Sequence, residues 1–158
     1  MARKKKQEEW DGVDRRKRPG ILLVNDDPDV CEMLVRFLGL AGFDAFGARS
    51  DLEAMALIHS RLPRGVVLDM STGGIGSNLR LLDQIRSNED QRIRTARVVL
   101  CATSAKNRPF SFQSGADSFL VRPFHINELV FQLRDVLARP HDQRSKHRRA
   151  ELERHGEL

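Results

Sequence analysis

Five short apolar runs alternate with longer amphipathic stretches between residues 20 and 139, and this alternation restricts the fold of the chain more than any other feature. Such a pattern is typical of repeated strand-helix units that build a parallel sheet. Most of the runs are unbroken, which suits strands that helices cover on both faces. We therefore predict a doubly wound α/β domain with five strands, at Ile21–Asn25, Asp44–Gly47, Val66–Asp69, Val98–Ala102 and Ser118–Val121.

Caps and helical spacing predict five helices. Asp27 followed by Pro28 is typical of the start of a helix, and Ser50 with Glu53 forms a capping box for a second. The third helix carries Leu79, Leu82 and Ile85, the fourth lies near residues 105–114, and the last runs from Ile126 to Ala138. The fourth is the least well specified, because Pro109 weakens the helical pattern.

The chain divides into one domain and two basic tails. We predict a flexible N-terminal tail at 1–19, a domain at 20–139, and a charged C-terminal tail at 140–158 that could be helical but has no apolar stripe to anchor it. Residues 19–138 carry 13 Lys and Arg against 14 Asp and Glu, so the sequence pI of 9.8 is a property of the tails. A nucleic-acid partner for the folded body is therefore disfavoured. The tails themselves could bind an acidic partner, but solvated tails are the simpler interpretation.

The two cysteines and the lengths of the apolar runs predict the cellular location of the protein. Cys31 and Cys101 both lie in apolar runs, where a buried thiol is the expected state. The basic N-terminus is not followed by an apolar stretch of signal-peptide length, and no run approaches the roughly 18 apolar residues that a membrane span requires. These features favour the cytoplasm and no insertion into a membrane.

Polar residues follow several of the predicted strands. Ligands bind at the carboxyl ends of the strands in such a sheet, where the sequence places the residues Asn25, Asp26, Asp27, Asp69, Thr103, Ser104, Arg122 and Pro123. Two carboxylates so close repel one another unless a hard cation such as Mg2+ (or Mn2+) lies between them. Such an ion would prepare a site for a phosphoryl group, with Asp69 as the attacking nucleophile and Arg122 as its cationic partner. Asp27 is more easily explained as the helix cap than as a metal ligand.

The segments ILLVNDDP, VVLDM and SGADSFLVRPF, with Asp69 placed 43 positions after Asp26, resemble the response-regulator receiver domains of bacterial two-component systems. The resemblance covers about residues 20–138. It implies a flavodoxin-like fold with strand order 2-1-3-4-5, and a stand-alone receiver because no further domain follows residue 138. By the same resemblance Asp69 is the phosphoacceptor, Asp26 and the backbone carbonyl of Ser71 bind the metal, Phe119 is the aromatic switch, and the bond before Pro123 is cis.

Three positions depart from the family pattern. Asn25 replaces the first of two acids, which removes a charge that acts on the metal through water. Arg122 replaces a Lys, and a planar guanidinium does not reproduce a compact ammonium group. The switch hydroxyl position falls on Ala102, although a shift of one residue would assign the role to Thr103. These departures predict an altered signalling face.

Three functions are considered, of which the first is preferred, the second is the alternative, and a nucleic-acid binder that works through its tails is ranked last. In the first, a sensor histidine kinase or phosphotransfer protein phosphorylates Asp69. The signal then passes through Thr103, Ser104 and Phe119 to a surface formed by the fourth helix, fifth strand and last helix, which binds a separate protein. In the second, the domain is a phosphorylation-independent interaction module. Neither is an enzyme beyond slow loss of the phosphoryl group, and a homodimer stays open in both.

Overall fold

Residues 18–154 are described by the structure, a computed structural model. Five strands form one parallel sheet, in the order β2-β1-β3-β4-β5. The strands are β1 (Gly20–Val24), β2 (Asp44–Ala48), β3 (Gly65–Leu68), β4 (Arg97–Ala102) and β5 (Ser118–Val121). The predicted sheet and its strand order are confirmed.

Residues 18–154 form seven α-helices, two more than the sequence predicts. They are α1 (Pro28–Leu40), α2 (Asp51–Arg61), α3 (Ile75–Arg86), α4 (Gln91–Arg94), α5 (Arg108–Gln113), α6 (Ile126–Ala138) and α7 (Arg144–Arg154). The additional helices are α4, a single turn too short to carry a helical pattern, and α7, at the C-terminal end of the described chain. A 3₁₀ turn at Ala105–Asn107 precedes α5, and Pro109 lies in the first turn of α5, where its missing N–H is not needed.

The core consists of two apolar layers, one on each face of the sheet. Successive strand residues point to opposite faces, so Leu22 and Val24 join one layer while Ile21 and Leu23 join the other. Helices α2, α3 and α5 cover the first layer, and α1 and α6 cover the second. Burial on both faces explains why the strand sequences carry so few polar residues.

The C-terminal segment packs on the first layer. Leu152 of α7 is buried there, and the ring of His147 contacts Phe112 of α5 edge to face. Most of the predicted N-terminal tail, residues 1–17, lies outside the described residues. No helix among residues 18–154 is long and apolar enough to cross a membrane.

Candidate functional site

The carboxyl ends of β1, β3 and β5 bring the predicted site residues together. Val24 and Leu68 are paired in the register of β1 and β3, so Asn25 and Asp69 leave the sheet side by side. The Asp69 backbone N–H donates to the Val24 carbonyl at 2.8 Å. Arg122 follows β5, and its peptide bond to Pro123 is cis, as the resemblance implies.

Asp69 is buried and is held by protein groups. Its side chain accepts a hydrogen bond from Nδ2 of Asn25 at 2.8 Å, and Oδ1 lies 3.3 Å from Nε of Arg122 in an ion pair without hydrogen-bond geometry. The Arg122 Nη2 donates to the Met70 carbonyl at 3.3 Å. Burial raises the pKa of Asp69 and the charge of Asp26 adds to that rise, while Arg122, Asn25 and the thiol of Cys101 oppose it. The main positive charge that faces Asp69 therefore comes from the guanidinium.

Asn25 gives Asp69 a donor that an acid at the same position would lack at neutral pH. Its side-chain oxygen accepts from the Asp27 backbone N–H at 2.8 Å, which leaves the amide nitrogen directed at Asp69. Asp27 in turn accepts from the backbone N–H groups of Asp29 and Val30. The interpretation of Asp27 as the cap of α1 is confirmed.

Asp26 is bound by the loop that follows β3. Its two carboxylate oxygens accept from the backbone N–H and the hydroxyl of Ser71, at 2.9 and 2.8 Å, and from the backbone N–H and hydroxyl of Thr72. Burial works against ionisation, but these four hydrogen bonds hold the pKa of Asp26 well below its ordinary value. The four donors occupy the roughly four lone-pair sites of a carboxylate.

The expected magnesium ligands do not fit a bound ion in this arrangement. Asp26 has its oxygens taken by Ser71 and Thr72, and Asp69 is neutralised by Arg122. Asn25 contributes an amide donor where the family pattern has an acid. The site therefore keeps two carboxylates, of which Asp69 is paired with Arg122 and Asp26 is held by uncharged donors.

Within residues 18–154, the predicted switch residues form no hydrogen bond with Asp69. Thr103 is exposed, and the Ser104 hydroxyl accepts from the Lys106 backbone N–H to cap the 3₁₀ turn. Buried Ala102 ends β4, paired with Val121, so the strand position next to the site carries a methyl group. Phe119 is buried in the first core layer, and the Arg108 guanidinium lies 5.0 Å from its ring centre.

Asn78 is a site residue that the sequence analysis missed. It is completely buried on α3, where Oδ1 accepts from the Met70 backbone N–H at 2.9 Å. Its amide donates to the carbonyls of Met70 and Cys101. Its position in the sequence could have revealed it, because Asn78 lies three and four residues before the buried Leu81 and Leu82 and so shares their helix face. A polar side chain on an inward helix face needs a hydrogen-bond partner.

The fold and the arrangement of Asp26, Asp69 and Arg122 at one sheet edge define a receiver-type domain. The model of the response regulator receiver domain matches residues 21–134, and the chain belongs to this family. The chain is 33% identical over 125 residues to the transcriptional regulatory protein PrrA of Mycobacterium tuberculosis, covering 77% of this chain and 51% of that protein. It is 34% identical over 119 residues to the response regulator MprA of Mycolicibacterium vanbaalenii, covering 75% and 50%. The chain thus spans about half the length of these curated relatives.

Solved structures agree with this assignment. The non-phosphorylated receiver domain of HemR from Leptospira biflexa matches with a TM-score of 0.65 and 28% identity, over 78% of this chain and 99% of that one. A CheY-like response regulator receiver domain protein from Methanospirillum hungatei matches with a TM-score of 0.66 and 20% identity, over 82% and 98%. At that identity, the second comparison speaks for the fold alone.

Proposed function

We infer that this chain is a receiver domain that acts as a phosphorylation-independent protein-interaction module in a bacterial two-component pathway. The observation that carries this function is that protein groups satisfy both site acids, through hydrogen bonds at Asp26 and through an ion pair and a hydrogen bond at Asp69. Asp26 is bound by Ser71 and Thr72, and Asp69 is bound by Asn25 and Arg122. The two acids therefore need no bound cation to lie close together in the folded state.

The three departures from the family pattern act in the same direction. Asn25 removes an acid and adds a donor to Asp69. Arg122 supplies a permanent charge with a planar donor fork that also reaches the Met70 carbonyl. Ala102 offers no hydroxyl to respond to a change at Asp69. Each of these three departures favours a site with one fixed arrangement over a site that rearranges in response to a change at Asp69.

An exposed apolar surface supports a role in protein binding. Met33, Phe37 and Leu40 are 48%, 42% and 71% exposed and follow one another at helical spacing along α1. Phe131 of α6, the helix next to α1 on the same face of the sheet, is 66% exposed. Exposed apolar patches of this kind mark contact sites for other proteins. We assign this surface to a protein of the pathway, such as its sensor histidine kinase or phosphotransfer protein, in the bacterial cytoplasm.

A second candidate function is that of a receiver domain whose Asp69 accepts a phosphoryl group. Asp26 and Asp69 are both present at the carboxyl edge of the sheet, and Arg122 lies beside Asp69, where it could pair with a transferred phosphoryl group. In this function Asp69 takes the group from a histidine kinase with Mg2+, and a separate downstream protein reads the change on the surface of α5, β5 and α6. The function requires Asp26 to release Ser71 and Thr72. In neither function does the domain turn over a substrate as an enzyme.

Intact-mass measurement after incubation with a small-molecule phosphodonor and Mg2+ separates the two functions. We expect no phosphoryl adduct on the wild-type chain. The double variant Asn25→Asp/Arg122→Lys, which restores the family residues, should gain one adduct that hydroxylamine removes. Adding Asp69→Asn to the double variant should abolish that adduct. An adduct on the wild-type chain that Asp69→Asn removes would contradict the phosphorylation-independent function and establish the second candidate.

A further inference from the structure

A cationic cleft lies on the far side of the domain from Asp69. It opens between α3, α4 and the C-terminal helix α7, and has a volume of about 330 Å³. Its walls carry four arginines and three smaller polar or ionisable side chains, namely Arg86, Arg94, Arg144, Arg148, Thr95, His141 and Ser145. The carbonyls of Thr95 and Ala96, which accept from Arg144, lie just before β4, and Asp117 lies just before β5. The cleft therefore lies at the amino ends of these strands.

The positive charge around the cleft exceeds the negative charge beneath it. Arg86, Arg144 and Arg148 all form ion pairs with Asp117, whose side chain is only 1% exposed. Burial lowers the pKa of Arg86 to about 10, and repulsion from Arg144 and Arg148 adds to the effect of burial. One buried carboxylate thus faces three guanidinium groups, and a further anion would relieve this imbalance.

Two of the arginines keep donors for such an anion. The contacts of Arg148 are long, 3.4 Å to Asp117 and 3.5 Å to the Ser145 hydroxyl. Arg94 uses only Nη1, on the carbonyls of Asn88 and Glu89. Within residues 18–154, the other N–H groups of these two side chains meet no protein acceptor.

His141 also lines the cleft. Its Nδ1 lies 3.2 Å from Nη1 of Arg144. A guanidinium only donates, so Nδ1 is the acceptor in this contact.

We propose that this cleft binds an oxyanion, in the form of phosphate or a small phosphate-bearing molecule. Guanidinium groups match the planar pairs of oxygens on such ligands and form strong, charge-assisted hydrogen bonds with them. The volume is near the lower end of the range for ligand sites, about 300–1,000 Å³. The walls carry no aromatic side chain, so the site recognises the anion and not an attached ring.

Binding in the cleft would fix the C-terminal helix. Arg144 and Arg148 belong to α7, whereas Arg86 and Arg94 belong to the body of the domain, so an anion between them joins the two. A ligand that binds only this docked state stabilises it in proportion to its occupancy. The proposed ligand therefore controls how firmly α7 stays on α5, and the proposal does not depend on what happens at Asp69.

The test is calorimetric titration of the full chain with pyrophosphate at constant ionic strength, compared with sodium chloride. Arg148→Gln removes a cleft donor whose existing contacts are long, and Arg149→Gln is the matched control at an exposed position of the same helix. We expect one pyrophosphate per chain, a loss of affinity of about tenfold or more in Arg148→Gln, and no such loss in Arg149→Gln. Far-UV circular dichroism checks that both variants keep their helices.

A second titration, with adenosine triphosphate, identifies the source of the phosphate group. Because the walls carry no aromatic side chain, we expect adenosine triphosphate to bind no more tightly than pyrophosphate, which points to a free phosphate compound. Tighter binding would show that the cleft also contacts the nucleoside and would overturn its assignment to the anion alone. Absence of saturable binding of either ligand would overturn the proposal. Equal affinities of wild type, Arg148→Gln and Arg149→Gln would also overturn it, because the anion would then bind elsewhere.

Discussion

Asn78 connects the backbone beside Asp69 to the body of the domain. Its side chain forms hydrogen bonds with both backbone groups of Met70 and with the carbonyl of Cys101. These bonds join the ends of β3 and β4 to α3. A buried side chain that satisfies three backbone groups fixes the path of the chain at the site.

Replacing Asn78 with Ala should lower the free energy of unfolding by about 3 kcal/mol, because buried backbone groups would lose their partners at about 1–3 kcal/mol each. Urea denaturation followed by circular dichroism measures the change. Gln84→Ala, at an exposed position of the same helix, is the control and should change stability by less than about 0.5 kcal/mol. Equal stabilities of the two variants would show that Asn78 does not hold this loop.

At the scale of residues, helix caps and contacts between paired strand ends could be predicted from the sequence, whereas contacts made by loops could not. The cap at Asp27 follows from Pro28 next to it, and the meeting of Asn25 with Asp69 follows from two parallel strand ends. The hydrogen bonds from Ser71 and Thr72 to Asp26 span 45 and 46 positions and depend on the course of the loop after β3. No pattern of residue types encodes that course.

At the scale of elements, α7 shows that charge can attach a helix that has almost no apolar face. Arg144 is 5% exposed and donates to Asp117 and to the carbonyls of Thr95 and Ala96. The sequence offered no anchor for this segment because its apolar residues are few. The anchor is an ion-pair network across 27 positions, which hydrophobic periodicity does not detect.

Asp117→Asn should lower the free energy of unfolding at pH 7 by about 3 kcal/mol, because it leaves buried arginines without their counter-charge. The arginines hold the pKa of Asp117 below its ordinary value of 3.8, against the opposing effect of burial. The stabilisation is therefore complete above pH 3.8 and is lost as the pH falls toward the lowered pKa. The difference between wild type and variant should accordingly shrink below pH 3.8.

Urea denaturation at pH 7 and at several acid pH values measures this difference. Asp142→Asn serves as the control, since Asp142 is an exposed acid just before α7 and should have little effect. A difference between wild type and Asp117→Asn that stays constant down to pH 2 would contradict the ionic anchoring of α7.

At the scale of the whole molecule, the sheet separates two core layers, and both cysteines lie in the layer under α1 and α6. Burial raises the pKa of both Cys31 and Cys101. Thiols react as thiolates. The folded domain therefore protects both cysteines in two ways, because burial keeps reagents away from them and disfavours the thiolate form.

We expect neither cysteine to react with a thiol reagent on the timescale on which an unfolded control reacts fully. Absorbance with a chromogenic disulfide measures the rate, and Cys31→Ser and Cys101→Ser assign any signal. The rate should rise with urea in parallel with loss of the circular dichroism signal. Fast labelling of one cysteine in the native state would contradict its placement in the core.

The architecture was predictable at this scale because β1, β3, β4 and β5 are buried on both faces, whereas the edge strand β2 is partly exposed. That burial demands near-continuous apolar runs, and the five runs fix the number and parallel arrangement of the strands. The strand order came from the resemblance to the family. The helix count was wrong because α4 is a single turn and α7 depends on distant charges.

The most direct test of the central claim, that protein groups and not a cation stabilise the acid pair, is calorimetric titration of the wild-type chain with Mg2+. We predict no saturable binding at millimolar Mg2+. The Asn25→Asp/Arg122→Lys variant should bind one ion, because it regains an acid and loses the guanidinium. Saturable binding to the wild-type chain that Asp26→Asn abolishes would contradict the account, since Asp26 would then serve Mg2+ and not the loop of Ser71 and Thr72.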